Sequence, residues 1–142
     1  MIKDIRHTGI VVDDLEVSLH FYCGLLGFQI VKQVEEAGGY IDNISSLRNV
    51  KVTTVKITSP SGQMIELLKY NSHPAEQRTR EICEIGISHI AFTVDDLDME
   101  YKRLKGKGIQ FNSSPQLPSD GYAKVTFCRA PEGTLIELVE VL

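Results

Sequence analysis

The chain has 142 residues, of which 42% are hydrophobic and 24% charged, enough for about one domain with a real core. Its 15 basic and 19 acidic side chains leave a net charge of −4 with no basic block, which excludes a dedicated nucleic-acid surface. No apolar run reaches the ~18 residues of a membrane span, no secretory leader precedes the first strand-like stretch, and Cys23, Cys83 and Cys128 form no CxxC pair, so a cytoplasmic protein with reduced thiols is expected.

The first element is an alternating, β-branched strand at residues 5–12. Asp13-Asp14 then suits a helix N-terminus, where carboxylates accept from free N–H groups and meet the positive end of the dipole. The helix places Leu15, Leu19, Tyr22 and Leu26 on one stripe, and Gly27 stops it because glycine tolerates φ > 0. A strand follows at 28–34. Residues 34–50 read as an insertion in which Gly38-Gly39 is a flexible turn. Strands at 51–58 and 63–70 make a hairpin through Ser59-Pro60-Ser61-Gly62. Residues 71–85, polar and containing His73-Pro74, read as a linker whose Arg78 and Arg80 are solvated.

After the linker the pattern starts again. A strand at 87–94 leads to Asp95-Asp96, then to a helix with Leu97, Tyr101 and Leu104 on one stripe and Gly108 as its stop. A short strand at 109–111 precedes a hairpin of 124–129 and 134–142, turning through Ala130-Pro131-Glu132-Gly133. Aligned directly, Ile5-Arg6-His7-Thr8-Gly9-Ile10-Val11-Val12-Asp13-Asp14-Leu15 matches Ile87-Ser88-His89-Ile90-Ala91-Phe92-Thr93-Val94-Asp95-Asp96-Leu97 at Ile, His, Val, Asp, Asp and Leu. Ser59-Pro60-Ser61-Gly62-Gln63-Met64-Ile65-Glu66-Leu67 likewise matches Ala130-Pro131-Glu132-Gly133-Thr134-Leu135-Ile136-Glu137-Leu138 at Pro, Gly, Ile, Glu and Leu. The chain is therefore expected to be α+β, one domain over 1–142. Two tandem βαβββ modules, about 5–70 and 86–142, flank the linker at 71–85.

Four polar residues fall on equivalent positions. Strand alternation puts Glu66 on the face of Met64 and Leu68, and Glu137 on that of Leu135 and Val139. His7 shares a face with Ile5 and Val11, and His89 with Ile87 and Ala91. A carboxylate on an apolar sheet face costs several kcal/mol to desolvate unless a charge compensates it. Brought together, His7, Glu66, His89 and Glu137 would give a divalent cation four N/O ligands in a pseudo-twofold arrangement. A His–Glu hydrogen-bond pair kept in each copy without a metal is the alternative. His20 and His73 are expected at the surface, and Cys128 in the core.

These motifs resemble the vicinal-oxygen-chelate superfamily, which includes glyoxalase I, methylmalonyl-CoA epimerase, bleomycin-binding proteins and ring-cleaving dioxygenases. The resemblance spans essentially the whole chain and rests on His7, the helix segment HFYCGLLGF, Glu66 in SPSGQMIELL, His89 and Glu137 in APEGTLIELVE. It implies a cupped mixed sheet with helices outside and a small-molecule substrate. The cup holds one divalent metal ion and is often completed across a homodimer. Ligand-type residues at all four positions resemble glyoxalase I most. They fit Zn, Ni, Co or Mn better than the two-His-one-carboxylate Fe(II) set of the dioxygenases. The implied activity is a metal-dependent lyase or isomerase that takes a proton next to a carbonyl through a metal-stabilised enediolate. Glu137 is its base and Glu66 the mirror-related partner returning the proton. An acyl-CoA epimerase, an Fe(II) dioxygenase and a non-catalytic binding protein stand as alternatives. Val11 and Tyr70 depart from the Arg and Asn of the bacterial glutathione-binding pattern.

Overall fold

Period-two alternation sets which side chains face the helices in the computed structural model, which describes residues 1–142. The chain divides into two units, Met1–Gln77 and Arg78–Leu142.

The first unit runs β1 (Thr8–Val11), α1 (Leu15–Leu19), β2 (Gln29–Ala37), α2 (Gly39–Ser45), β3 (Lys51–Thr58) and β4 (Met64–Tyr70). Its sheet has the order β1-β4-β3-β2, with β1 and β4 parallel and the other pairs antiparallel. Asp14 caps α1 as expected, its side chain accepting from Val17 N at 3.1 Å. The helix then continues as a π-helical turn, His20–Leu25, in which Leu26 N reaches back to Phe21 O at 3.0 Å. This wider turn departs from the 3.6-residue period. The buried residues are Ser18, Phe21 and Tyr22, whereas Leu15, Leu19 and Leu26 of the expected stripe are only half-buried. Phe21, Tyr22 and Phe28 pack edge to face. On the sheet, Val55, Ile57, Ile65 and Leu67 are buried, while Lys56, Met64, Glu66 and Leu68 alternate with them onto the other, half-exposed face.

The insertion is more ordered than a flexible turn. It extends β2 to Ala37 and forms α2, whose Ile41 packs with Val50 and Val52 against Leu68 and Tyr70. Asp42 holds the return of the chain by accepting from Asn49 N at 3.0 Å and Val50 N at 2.9 Å.

The second unit contains β5 (His89–Thr93), α3 (Leu97–Gly106), β6 (Ala123–Arg129) and β7 (Leu135–Val141), with sheet order β5-β7-β6. Asp96 caps α3 through Met99 N at 2.9 Å, and Leu97 and Leu104 are fully buried on the expected stripe. Glu140 fastens the helix start to β7 by accepting from Leu97 N at 2.8 Å. The strand expected at 109–111 does not form. Phe111 makes one bridge to Cys128 and Gln116 one to Val125, and the segment carries Pro115 and Pro118, which have no N–H for a ladder.

Residues 71–85 contain neither helix nor strand. Arg78 and Arg80, expected as solvated, both reach Glu84 at 3.2 Å. The Glu81 N–H, then the Arg80 side chain, hold the Glu84 carboxyl below its ordinary pKa. His20 is exposed, but His73 is half-buried and shares a hydrogen bond with Ser72 at 2.8 Å.

Leu67 and Leu68 face opposite sides of β4. Leu67→Ala is expected to cost about 2–5 kcal/mol of unfolding free energy and Leu68→Ala clearly less, compared by urea denaturation. Thiol reactivity should follow burial. Cys83 is exposed, while burial pushes the Cys128 thiol up to about 12, so mass spectrometry after iodoacetamide treatment of the folded protein should find Cys83 alkylated and Cys128 intact.

Candidate metal centre

The same local register places a histidine and a glutamate together in each unit. Glu66 lies opposite Gly9 in the parallel β1–β4 pair, and Glu137 lies opposite Ala91 in the parallel β5–β7 pair. The histidines stand two residues earlier, at His7 and His89, so period-two alternation turns each ring to the face of its glutamate. Gly9 and Ala91 leave little bulk between them.

His89 Nε2 lies 3.0 Å from Glu137 Oε2, and His7 Nε2 lies 4.0 Å from Glu66 Oε1. Both carboxylates are largely covered, their side chains 16% exposed at Glu66 and 21% at Glu137. Each expected pair is thus assembled within its own unit. Within neither unit do three or more His, Cys, Asp or Glu side chains gather around one point.

The two pairs differ in their surroundings. Ser88 Oγ donates to Ile82 O at 3.1 Å and sits 3.0 Å from His89 Nδ1. With its one hydroxyl proton committed, Ser88 is the acceptor and Nδ1–H the donor, an assignment made from the hydrogen-bond network. A neutral His89 then turns the lone pair of Nε2 toward a carboxylate oxygen at 3.0 Å. Two such acceptors at that distance repel unless a proton or a metal cation lies between them. The Phe127 ring, cross-strand from Glu137 and with its centre 5.1 Å from that of the His89 ring in an edge-to-face arrangement, closes one side of the pair.

His7 is less settled. Its Nδ1 is buried without a partner, and its Nε2 is too far from Glu66 for a hydrogen bond. On the other side of Glu66 stands Lys56, Nζ 3.8 Å from Oε2, at the position that Phe127 fills in the second unit. Each pair offers a divalent cation one imidazole nitrogen and one carboxylate, ligand types that such an ion takes, and the acceptor–acceptor approach at His89–Glu137 favours a cation there. Sequence reasoning missed Ser88, Phe127 and Lys56. Ser88 lay visible beside His89, but Phe127 and Lys56 join their glutamates only through the strand register.

Residues 4–138 match the family model of the glyoxalase/bleomycin resistance protein/dioxygenase superfamily. The chain belongs to that superfamily. Protein YwkD of Bacillus subtilis is 30% identical over 142 residues, covering 99% of this chain and 98% of that one. A probable lactoylglutathione lyase of Synechocystis is 25% identical, covering 96% and 94%. The crystal structure of a glyoxalase family protein from Bacillus cereus superposes with a TM-score of 0.90 at 24% identity, over 100% of this chain and 96% of that one, which speaks for the fold alone. The superfamily fold accounts for the paired α+β units, and no helix here is long and apolar enough to cross a membrane.

The tautomer assignment is open to direct measurement. Long-range proton–nitrogen correlations should place the neutral-ring proton of His89 on Nδ1, and Ser88→Ala should redistribute it between the two nitrogens. An unchanged nitrogen pattern in the variant would remove Ser88 from the assignment.

Proposed function

We propose that this superfamily member is a metal-dependent lyase or isomerase of the glyoxalase I type, working in the cytoplasm as a homodimer. His7, Glu66, His89 and Glu137 hold one divalent ion (zinc, nickel, cobalt or manganese). The observation that carries the reading is the His89–Glu137 approach of 3.0 Å with Nδ1 engaged by Ser88, an arrangement that asks for a cation. Once bound, such an ion supplies Lewis acidity that stabilises negative charge developing on a substrate oxygen as a proton leaves the neighbouring carbon.

The chain's own residues do the rest. Glu137 takes the proton from the carbon next to the carbonyl, and Phe127 and Val139 keep its side of the strand apolar, which favours proton movement over exchange with bulk water. Glu66, the equivalent carboxylate of the first unit, enters as the acid and returns a proton to the adjacent carbon, so that the turnover ends with Glu137 protonated and Glu66 ionised, and exchange with solvent resets the pair. His89, oriented by Ser88, and His7 remain in place while the carboxylates change protonation. The glutathione-contacting pattern is not filled: Val11 carries no charge, and Tyr70 packs against the Ile41–Val50–Val52 group instead of offering an amide.

Elemental analysis is expected to find about one divalent ion for each set of four ligands. In deuterium oxide, a screen of hemithioacetals and acyl-CoA thioesters should reveal a compound that gains solvent deuterium. Glu137→Gln should lower that exchange by about 100-fold or more while the fold is retained by circular dichroism. Unchanged exchange in the variant would eliminate the base assignment, and exchange independent of chelators would eliminate the metal.

A further inference from the structure

The face of the first unit that carries His7 and Glu66 also carries two lysines in one cross-strand row. Lys56 is paired directly with Glu66 across β3–β4, and Lys32 is paired directly with Lys56 across β2–β3. Direct partners in an antiparallel ladder project to the same side of the sheet, so the row reads Lys32, Lys56, Glu66. Like charges placed opposite one another destabilise a sheet, and one carboxylate cannot neutralise two ammonium groups. Lys56 Nζ stands 3.8 Å from Glu66 Oε2, beyond hydrogen-bond length, so its donors are unused, and the exposed Lys32 has no partner either.

The second unit lacks this row. The partner of Glu137 there is Phe127, with Val125 and Val139 beside it on the same face. Glu66 therefore has no requirement for a lysine neighbour that follows from the fold itself, because its counterpart is accommodated without one. An excess positive charge, held next to the candidate ligands with its hydrogen-bonding capacity free, calls for an anion from outside the chain.

We infer that Lys56 and Lys32 form an anion-recognition row, and that the substrate carries an anionic group, a carboxylate or a phosphonate-type oxyanion, attached next to its reacting carbonyl. The inference rests on reading the His7–Glu66 face as the substrate site. Lys56 supplies the nearer charge, beside the ligand pair, and Lys32 the more exposed one.

The test is binding, without turnover. Pyruvate and 2,3-butanedione are nearly isosteric and differ in charge, and acetylphosphonate adds the second oxyanion type. Titrations followed by NMR, on protein with added zinc and on protein treated with EDTA, give the ratio of affinities in each state. The wild type is expected to prefer at least one of the two anions over 2,3-butanedione by about tenfold, as one charge-assisted hydrogen bond provides. Lys56→Met and Lys32→Met should each lower the ratio, the double variant should bring it near one, and Lys56→Arg should restore it; 2,3-butanedione binding should not change. Preference for pyruvate or for acetylphosphonate tells which oxyanion the row reads. No selective anion binding, or a preference indifferent to both lysines, would overturn the inference. A preference abolished by EDTA but unaffected by the lysine variants would overturn it as well, by assigning recognition to the metal. These readouts involve neither proton exchange nor Glu137, so failure of the catalytic proposal and failure of this one are separable.

Discussion

An imidazole nitrogen whose ring proton is engaged elsewhere and a carboxylate oxygen cannot rest 3.0 Å apart without a positive charge between them. In the second unit, Ser88 holds the far side of the His89 ring and the β5–β7 pairing brings Glu137 to the same face, where the two groups approach to 3.0 Å. The strand register is what does this. The parallel pairing of β5 with β7 sets Ala91 against Glu137, and His89 follows from alternation two residues earlier. The same relation holds for β1 and β4 in the first unit, with Gly9 against Glu66. A shift of one residue in either register would turn the histidine or the glutamate into the helix-packed core, where a charge has no partner.

Repetition explains the similarity of the two pairs, and their neighbours explain their difference. Glu66 has the His7 ring toward Oε1 and the Lys56 ammonium toward Oε2, whereas Glu137 has His89 on one side and an aromatic ring on the other. Two carboxylates that are equivalent in topology thus sit in unlike fields.

Much of this was legible in the sequence because it depends on local rules. The Asp-Asp pairs, the helix-stopping glycines and the Pro-Gly turns each act within a few residues, and the two copies corroborate one another. Both helix caps formed at the second aspartate, Asp14 and Asp96. The elements that escaped were those where local rules compete. The π-helical turn at His20–Leu25 moved burial to Ser18 and Phe21, and a stripe drawn at 3.6 residues per turn has no means of anticipating it. Ile109 and Phe111 alternate like a strand, yet the prolines that follow leave the segment with single bridges. In the insertion, Gly38-Gly39 obscured a seven-residue helix whose stability comes from Ile41 packing and from Asp42 gathering the N–H groups of Asn49 and Val50. Short helices of this size are held by tertiary contacts more than by propensity.

Lys56 and Lys32 belong to a different category, since nothing in their immediate sequence marks them. Each is a single polar residue in an otherwise ordinary strand, and such lysines usually face water. Their significance arises only when β2, β3 and β4 are laid side by side, because the charge row runs across the sheet and not along the chain. A sheet converts residues far apart in sequence into direct neighbours about 5 Å apart. The balance of charge along such a row is therefore a property of the fold. Here that balance is positive beside a His–Glu pair in one unit and apolar beside its counterpart in the other. In both units an acid and an imidazole share a sheet face, while the residue across the strand from the acid is a lysine in one and a phenylalanine in the other.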